Sequence, residues 1–184
     1  MSFSGRAPVG ELLNRRRAES AARINKLRQR LTDAEKLCGE RACIYATGSF
    51  SRGEASEHSD LDVFIAGKGT QKEPALTGLD EILIKADLIE AIRELRIPDF
   101  SGDGEYLTHY TVDELVDTLG KPEDDASNTF TARLLLLLES YPLLGESAYR
   151  DITEQVITAY WRDYQDHKKN FIPAPPATTK SAAT

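Results

Sequence analysis

The sequence is poor in cysteine and has no long hydrophobic run. Its two cysteines, Cys38 and Cys43, do not have C-x-x-C spacing, which favours structural thiols over a zinc or redox site. The leucine run at residues 134–138 is far too short to cross a bilayer, and the first thirty residues have no apolar segment of signal-peptide length. We therefore expect a cytoplasmic protein with no membrane partner.

Positive charge is also scarce. The chain has 23 Lys and Arg against 30 Asp and Glu, a formal net charge of -7. Such a chain repels a phosphate backbone, so we expect no long nucleic acid as partner, and a nucleotide is the better candidate for a phosphate ligand. The basic residues concentrated at 15–30 alternate with apolar ones, which is typical of the solvated face of a helix.

The length of 184 residues, with 40% hydrophobic and 29% charged residues, indicates one globular domain with appendages. We expect a core with an N-terminal helix at residues 1–120 and a helical extension at 121–172. The tail at 173–184 consists of Pro, Ala, Thr, Ser and one Lys, a composition that cannot bury a core and predicts disorder.

Hydrophobic periodicity places the elements along the chain. Thr111 and Glu114 have capping-box spacing and predict a helix start. The helix predicted at residues 127–139 contains the leucine run and has apolar residues on every face. We expect this helix to be buried. The alternative is a subunit contact, which would make the protein a homo-oligomer. Helices are predicted at residues 9–37, 82–95, from 111, 127–139 and 149–164; strands are predicted at 42–47, 61–65 and 105–110.

The most informative stretch begins where the first predicted strand ends, at residues 48–53, and continues after a polar loop to Asp60-Leu61-Asp62-Val63. Side chains alternate along a strand, so Asp60 and Asp62 project to one side while Leu61 and Val63 enter the core. Adjacent carboxylates repel unless a cation lies between them, and magnesium prefers oxygen ligands near phosphates. The pattern predicts a magnesium site.

The turn before this pair suits a triphosphate. The missing Cβ of Gly48 allows close backbone approach, which exposes N–H groups and the Ser49 hydroxyl, and Arg52 adds a guanidinium. Two divalent ions roughly 3.5–4 Å apart, bridged by Asp60 and Asp62, would neutralise the reacting phosphate and orient a nucleophile. An Asp-Leu-Asp triplet alone is common at a solvated strand edge, whereas its combination with this turn is much more specific.

Gly48-Ser49 followed by Asp60-Leu61-Asp62-Val63 resembles the signature of the polymerase-beta nucleotidyltransferase superfamily. The resemblance implies an α+β fold, a small mixed β-sheet flanked by helices, with Ser49 binding the triphosphate and the two aspartates ligating Mg²⁺. It also implies transfer of a nucleoside monophosphate from a nucleoside triphosphate such as ATP to a hydroxyl of a protein or small molecule. Residues 100–105 and 133–139 are more loosely similar to bacterial nucleotidyltransferases distantly related to the nitrogen-signalling uridylyltransferase.

The superfamily usually places a third carboxylate on a later strand, where it completes a metal site or activates the acceptor hydroxyl. Glu105, which opens the third predicted strand, is our first choice as this catalytic and metal-binding residue. Asp103 is the second choice and Asp99 the third. Without such a residue, the alternative function is a catalytically silent nucleotide-binding regulatory or interaction module of the same fold. A purely structural helical adaptor is a further alternative.

Overall fold

The computed structural model describes residues 9–100 and 107–161. Eight helices and four strands are found in this part of the chain. In chain order they are α1 (Val9–Arg30), α2 (Thr32–Cys38), β1 (Ala42–Ala46), α3 (Gly48–Ser51), β2 (Val63–Gly67), α4 (Gly78–Glu94), β3 (His109–Thr111), α5 (Val112–Asp117), α6 (Glu123–Ala126), α7 (Thr129–Glu139), β4 (Tyr141–Leu144) and α8 (Glu146–Tyr160).

The four strands form one mixed sheet in the order β3-β2-β1-β4. Strand β1 is antiparallel to both of its neighbours, with Ile44 opposite Ile65 of β2, whereas β3 runs parallel to β2. Every residue of β1 and β2 is buried, so both faces of the sheet are covered. These observations confirm the α+β class, with a small mixed sheet flanked by helices and a helical C-terminal part.

Alternation along β1 divides the buried residues into two cores. Ile44 and Ala46 pack with apolar residues of α1, α2 and α4 on one face of the sheet. Cys43 and Tyr45 face the other side, where α5, α7 and α8 cover the sheet. The Tyr45 and Phe64 rings stack there with centroids 5.4 Å apart. Both cysteines are free and buried, and burial raises the pKa of Cys38 to about 12, so the thiol stays protonated.

The first predicted helix is interrupted. Its backbone departs from helical geometry at Leu31, where φ is -84° and ψ is 40°, and α2 begins at the next residue. A helix start leaves backbone N–H groups without partners. Here Asp87 of α4 accepts one of them, from Ala34 N, at 3.0 Å, and its other oxygen lies 3.1 Å from Arg30 Nη1. A tertiary contact therefore compensates for the break.

Helix starts that depend on local side chains agree with the sequence. The Thr111 hydroxyl accepts from Glu114 N at 3.2 Å, and Glu114 Oε2 accepts from Thr111 N at 2.7 Å, which confirms the predicted capping box of α5. Helix α4 has the same arrangement with Thr77 and Asp80 and ends before Pro98, as expected.

Strand β4 was not predicted. We expected Pro142 and Gly145 only to separate two helices, yet Tyr141–Leu144 pairs with β1 at the edge of the sheet. Proline is tolerated on an edge strand because its missing N–H need not enter a ladder. Gly145 has φ +65° and packs against the Ala42 carbonyl, leaving no space for a Cβ. Helix α8 consequently begins at Glu146, earlier than residue 149.

Helix α7 is not buried on all sides, so that expectation was wrong. Leu136 is buried, but Leu138 is 74% exposed. A buried charge occupies the inner face instead: Arg133 is fully buried, forms an ion pair with Asp124 and donates to Leu115 O at 2.9 Å. In the described residues, no helix combines the length and apolar character needed to cross a bilayer.

Candidate active site

The centre of the site is the close approach of Gly48 to Asp62. Thr47 N donates to the Asp62 backbone oxygen at 2.9 Å, which holds the end of β1 against the residue before β2. Gly48 adopts φ +63°, a left-handed conformation that glycine tolerates best. A Cβ at this position would lie 2.7 Å from Asp62 Oδ2. The site therefore excludes a side chain at residue 48 by both backbone conformation and space.

Asp60 and Asp62 lie directly before β2, which begins at Val63 instead of residue 61 as predicted. The alternation nevertheless extends to them, since Leu61 is buried in the core while both aspartates are only half-buried. Burial raises the pKa of Asp62, and the negative charges of Asp60 and Glu139 raise it further, whereas Arg52 lowers it. This accumulation of negative charge is an environment that a cation would stabilise.

Gly48 and the residues after it form one helical turn, α3. The Gly48 carbonyl accepts from Arg52 N at 3.1 Å and from the Ser51 hydroxyl at 2.9 Å. Ser49 is half-buried, and its hydroxyl makes no hydrogen bond to any described residue. We name residues 48–53 the glycine turn, because Gly48 and Gly53, both with positive φ, stand at its two ends.

Arg52 extends from the glycine turn between two carboxylates. Its Nε donates to Glu54 Oε2 at 2.9 Å and its Nη1 to Glu139 Oε2 at 2.7 Å. Hydrogen bonds to Glu54 and then to Glu139 raise the pKa of Arg52, so the guanidinium stays charged. The charged donor that the sequence assigned to triphosphate is thus placed beside Gly48, and carboxylates already bind it.

Glu139 is the site residue that sequence reasoning missed. It is the last residue of α7, and its Oε1 accepts from Gly48 N at 3.3 Å while Oε2 binds Arg52. Both donors belong to the turn expected to bind phosphates, so the Glu139 carboxylate takes positions suited to phosphate oxygens. The one sequence signal was a charged residue closing a run of five leucines, and nothing in that run links it to Gly48.

Of the three candidates for the third carboxylate, Asp99 is the one within the described residues. Glu105 and Asp103 lie outside the described residues. Asp99 is exposed, and its Oδ1 lies 3.5 Å from Arg93 Nε. The strand predicted at residues 105–110 begins at His109 in the described residues, and it pairs with β2 in parallel, with Ile65 opposite His109.

The carboxylate oxygens of Asp60 and Asp62 suit a hard cation that keeps substrate oxygens in its coordination shell. Within residues 9–100 and 107–161, no group of three or more His, Cys, Asp or Glu side chains is arranged to hold a metal. Magnesium, however, is commonly bound by one or two carboxylates together with substrate phosphates and water. Asp60 and Asp62 fit that mode, because burial and then the charge of Asp60 raise the Asp62 pKa, and residue 48 has no Cβ to occupy the space beside Asp62 Oδ2.

A comparison with protein families identifies the segment that carries this geometry. The model of the nucleotidyltransferase domain matches residues 24–126, which is more than half of the 184 residues. The chain belongs to this family. The matched segment of the nucleotidyltransferase domain contains the glycine turn and both aspartates, whereas Glu139 lies after it. Searches of curated proteins and of solved structures found no match.

Proposed function

We propose that the protein is a magnesium-dependent nucleotidyltransferase, which moves a nucleoside monophosphate from a nucleoside triphosphate to a hydroxyl of a protein or small molecule. One observation carries this proposal: the backbone of Gly48 lies so close to the Asp62 carboxylate that a Cβ would be 2.7 Å from its Oδ2. This proximity supports the proposal, because it brings the backbone proposed to bind phosphate next to the carboxylate proposed to bind the metal, within the segment matched by the family. Family membership itself supports nucleotidyl transfer in general terms.

In this proposal the glycine turn binds the triphosphate. Gly48 N and the Arg52 guanidinium both donate to Glu139, and a triphosphate oxygen can accept from the same two donors. The Ser49 hydroxyl adds a third donor. Glu139 must therefore release both groups when the nucleotide binds.

Asp60 and Asp62 would hold Mg²⁺, which supplies charge neutralisation on the phosphates and fixes their orientation. The acceptor oxygen forms a bond to the α-phosphorus, the bond from that phosphorus to the bridging oxygen breaks, and pyrophosphate leaves. The acceptor proton passes to a carboxylate that functions as general base. Glu105 remains our proposal for that base.

A second candidate function is a nucleotide-binding module without turnover. It is favoured by Glu139, whose carboxylate accepts hydrogen bonds from two donors of the glycine turn. A protein in which this contact persisted would bind nucleotide weakly and would release no pyrophosphate. The two candidates thus differ in a measurable product.

The deciding experiment incubates the protein with α-labelled nucleoside triphosphates, hydroxyl acceptors and Mg²⁺, and measures labelled adduct and pyrophosphate together. We expect equal amounts of both, abolished by chelation and by Asp60→Asn or Asp62→Asn. Asp33→Asn is the control, since Asp33 is exposed and pairs with Lys36. Nucleotide binding without pyrophosphate release would support the silent module, and full transfer by either site variant would contradict the assignment of the aspartates.

A further inference from the structure

A basic groove lies beside the site. It has a volume of about 780 Å³, within the range of roughly 300–1,000 Å³ typical of small-molecule sites. Helix α1, the loop at residues 55–58 and the end of α4 form its walls. Its cationic side chains are Arg15, Arg16, Arg23, Lys26 and Arg96.

The charge of the groove is opposite to that of the whole chain. Its five cations face only two carboxylates, Glu19 and Glu57, although the chain carries a net charge of -7. Arg15 lies 3.6 Å from Glu19. The other lining cations are less neutralised: within the described residues, Arg16, Lys26 and Arg96 form no ion pair.

Arg96 has an unusual backbone for its residue type. Helix α4 ends in a Schellman motif, in which Ile97 N donates to Ile92 O at 2.8 Å and Arg96 N donates to Arg93 O at 3.2 Å. Arg96 has a left-handed backbone conformation, with φ 54°. Glycine usually occupies this position of the motif. A non-glycine residue there is strained, because its Cβ comes too close to the following carbonyl oxygen. Because Arg96 comes from α4, a solvated face of α1 does not account for the groove.

The loop that lines the groove leads along the chain to the aspartate pair. The Ser20 hydroxyl donates to Ala55 O at 3.4 Å, and Arg23 donates to Ser56 O, so α1 is held against the loop. Ser59 N then donates to Ser56 O at 3.1 Å and closes a turn. The residue that follows this turn is Asp60, so the wall of the groove continues into the site.

We propose that this groove binds the phosphate group of a small phosphorylated acceptor, whose hydroxyl is thereby presented to the aspartate pair. Guanidinium groups match phosphate oxygens in geometry and charge, and the volume suits a small molecule. The assignment of the bound molecule as acceptor rests on the proposed function, whereas phosphate binding in the groove does not. The residues that line the groove do not include any of the glycine turn, the proposed site of the donor triphosphate.

The experiment titrates inorganic phosphate and glycerol 3-phosphate into ¹⁵N-labelled full-length protein without Mg²⁺ at constant ionic strength, and follows the amide shifts. We expect shifts at residues 15–26, 55–58 and 96–97 with both anions and none with glycerol. The triple variant Arg16→Gln, Lys26→Gln, Arg96→Gln should bind glycerol 3-phosphate at least about tenfold more weakly, a loss of about 1.4 kcal/mol. Its Mg²⁺–ATP affinity should stay unchanged.

A charge-matched control neutralises three exposed cations elsewhere, as Lys36→Gln, Lys121→Gln, Arg150→Gln, and should bind both anions like the wild type. Arg96→Gly separates binding from folding, because it should weaken anion binding while raising stability at the left-handed position. The proposal is overturned if the anions shift no groove residue, if the triple variant binds them normally, or if both triple variants lose binding equally. Preference for a single-stranded oligonucleotide over glycerol 3-phosphate would also overturn it. Absence of Mg²⁺–ATP binding by the wild type would instead contradict the proposed function.

Discussion

Glu139 Oε2 lies 2.7 Å from Nη1 of Arg52, a residue 87 positions earlier in the chain. The same carboxylate accepts from Gly48 N and contributes to the raised pKa of Asp62. Through this one side chain, the end of α7 contacts the glycine turn and acts electrostatically on Asp62. Nucleotide binding must therefore change the environment of α7 as well as that of the turn.

Glu139→Gln should bind a nucleoside triphosphate more tightly than the wild type. The change removes a competing negative charge from Gly48 N and Arg52, and partly exposed ion pairs are worth about 0.2–1 kcal/mol, so we expect a gain of up to about fivefold. Glu54→Gln is the control, because Glu54 also binds Arg52 but does not contact Gly48. Calorimetry measures both affinities. A weaker affinity in Glu139→Gln would mean that Glu139 assists binding.

Gly48→Ala should lose nucleotide binding and some stability. Residue 48 has φ +63°, and an added Cβ would lie 2.7 Å from Asp62 Oδ2. The left-handed conformation alone costs about 1–2 kcal/mol. Gly53→Ala is the matched control: φ is +69°, but its nearest neighbour is the flexible Arg17 side chain at 3.3 Å. Both variants should melt at lower temperature, and only Gly48→Ala should fail to bind Mg²⁺–ATP; equal binding by the two variants would contradict this account.

Asp62→Asn should stabilise the metal-free protein at neutral pH. Burial, then Asp60 and Glu139, raise the pKa of Asp62 above 3.8, so the folded state favours the neutral acid. Its stabilising contribution is complete below pH 3.8 and is lost as pH rises through the raised pKa. The melting temperature of Asp62→Asn should thus exceed that of the wild type at pH 7, and the difference should vanish on acidification.

Asp33→Asn is the control, because the pKa of Asp33 is shifted in the opposite direction from that of Asp62. A hydrogen bond from Lys36 lowers the pKa of Asp33, so this variant should gain no stability at neutral pH. Mg²⁺ should reduce the advantage of Asp62→Asn, because it stabilises only a protein that binds it. An Asp62→Asn variant less stable than the wild type at pH 7 without Mg²⁺ would show that the folded protein does not disfavour the ionised form of Asp62.

Asp124→Asn should destabilise the packing of α5, α7 and α8. Arg133 is fully buried, and loss of its partner would leave an unpaired charge, which costs about 3–5 kcal/mol. Replacing both residues, as Arg133→Met with Asp124→Leu, should recover much of the loss, since no buried charge then remains. Urea unfolding measures both changes, and a double variant less stable than Asp124→Asn would contradict the explanation.

Features set by neighbouring residues were predictable from the sequence. The capping box of Thr111 and Glu114 requires only the correct spacing. The abrupt turn at Gly48 and the alternation that exposes Asp60 and Asp62 are also local, because they follow from a missing Cβ and from strand geometry. These features were sufficient to indicate the family and the fold class.

Features that depend on distant pairing were not predictable. Strand β4 contains Pro142 and only four residues, so periodicity could not identify it, and β1 stabilises it from almost a hundred residues away. Glu139 lies two residues before the start of β4, and its position beside Gly48 follows from that pairing. The break at Leu31 likewise depends on Asp87 of α4. Glu105 lies outside the described residues and stays a prediction.

The most direct test of the central claim is a calorimetric titration of ATP into the protein with and without Mg²⁺. The account predicts binding that requires Mg²⁺ in the wild type, is lost in both Asp60→Asn and Asp62→Asn, and is retained in Asp33→Asn. Binding of ATP that is independent of Mg²⁺, or that persists in the two site variants, would contradict a metal-binding role for the aspartate pair.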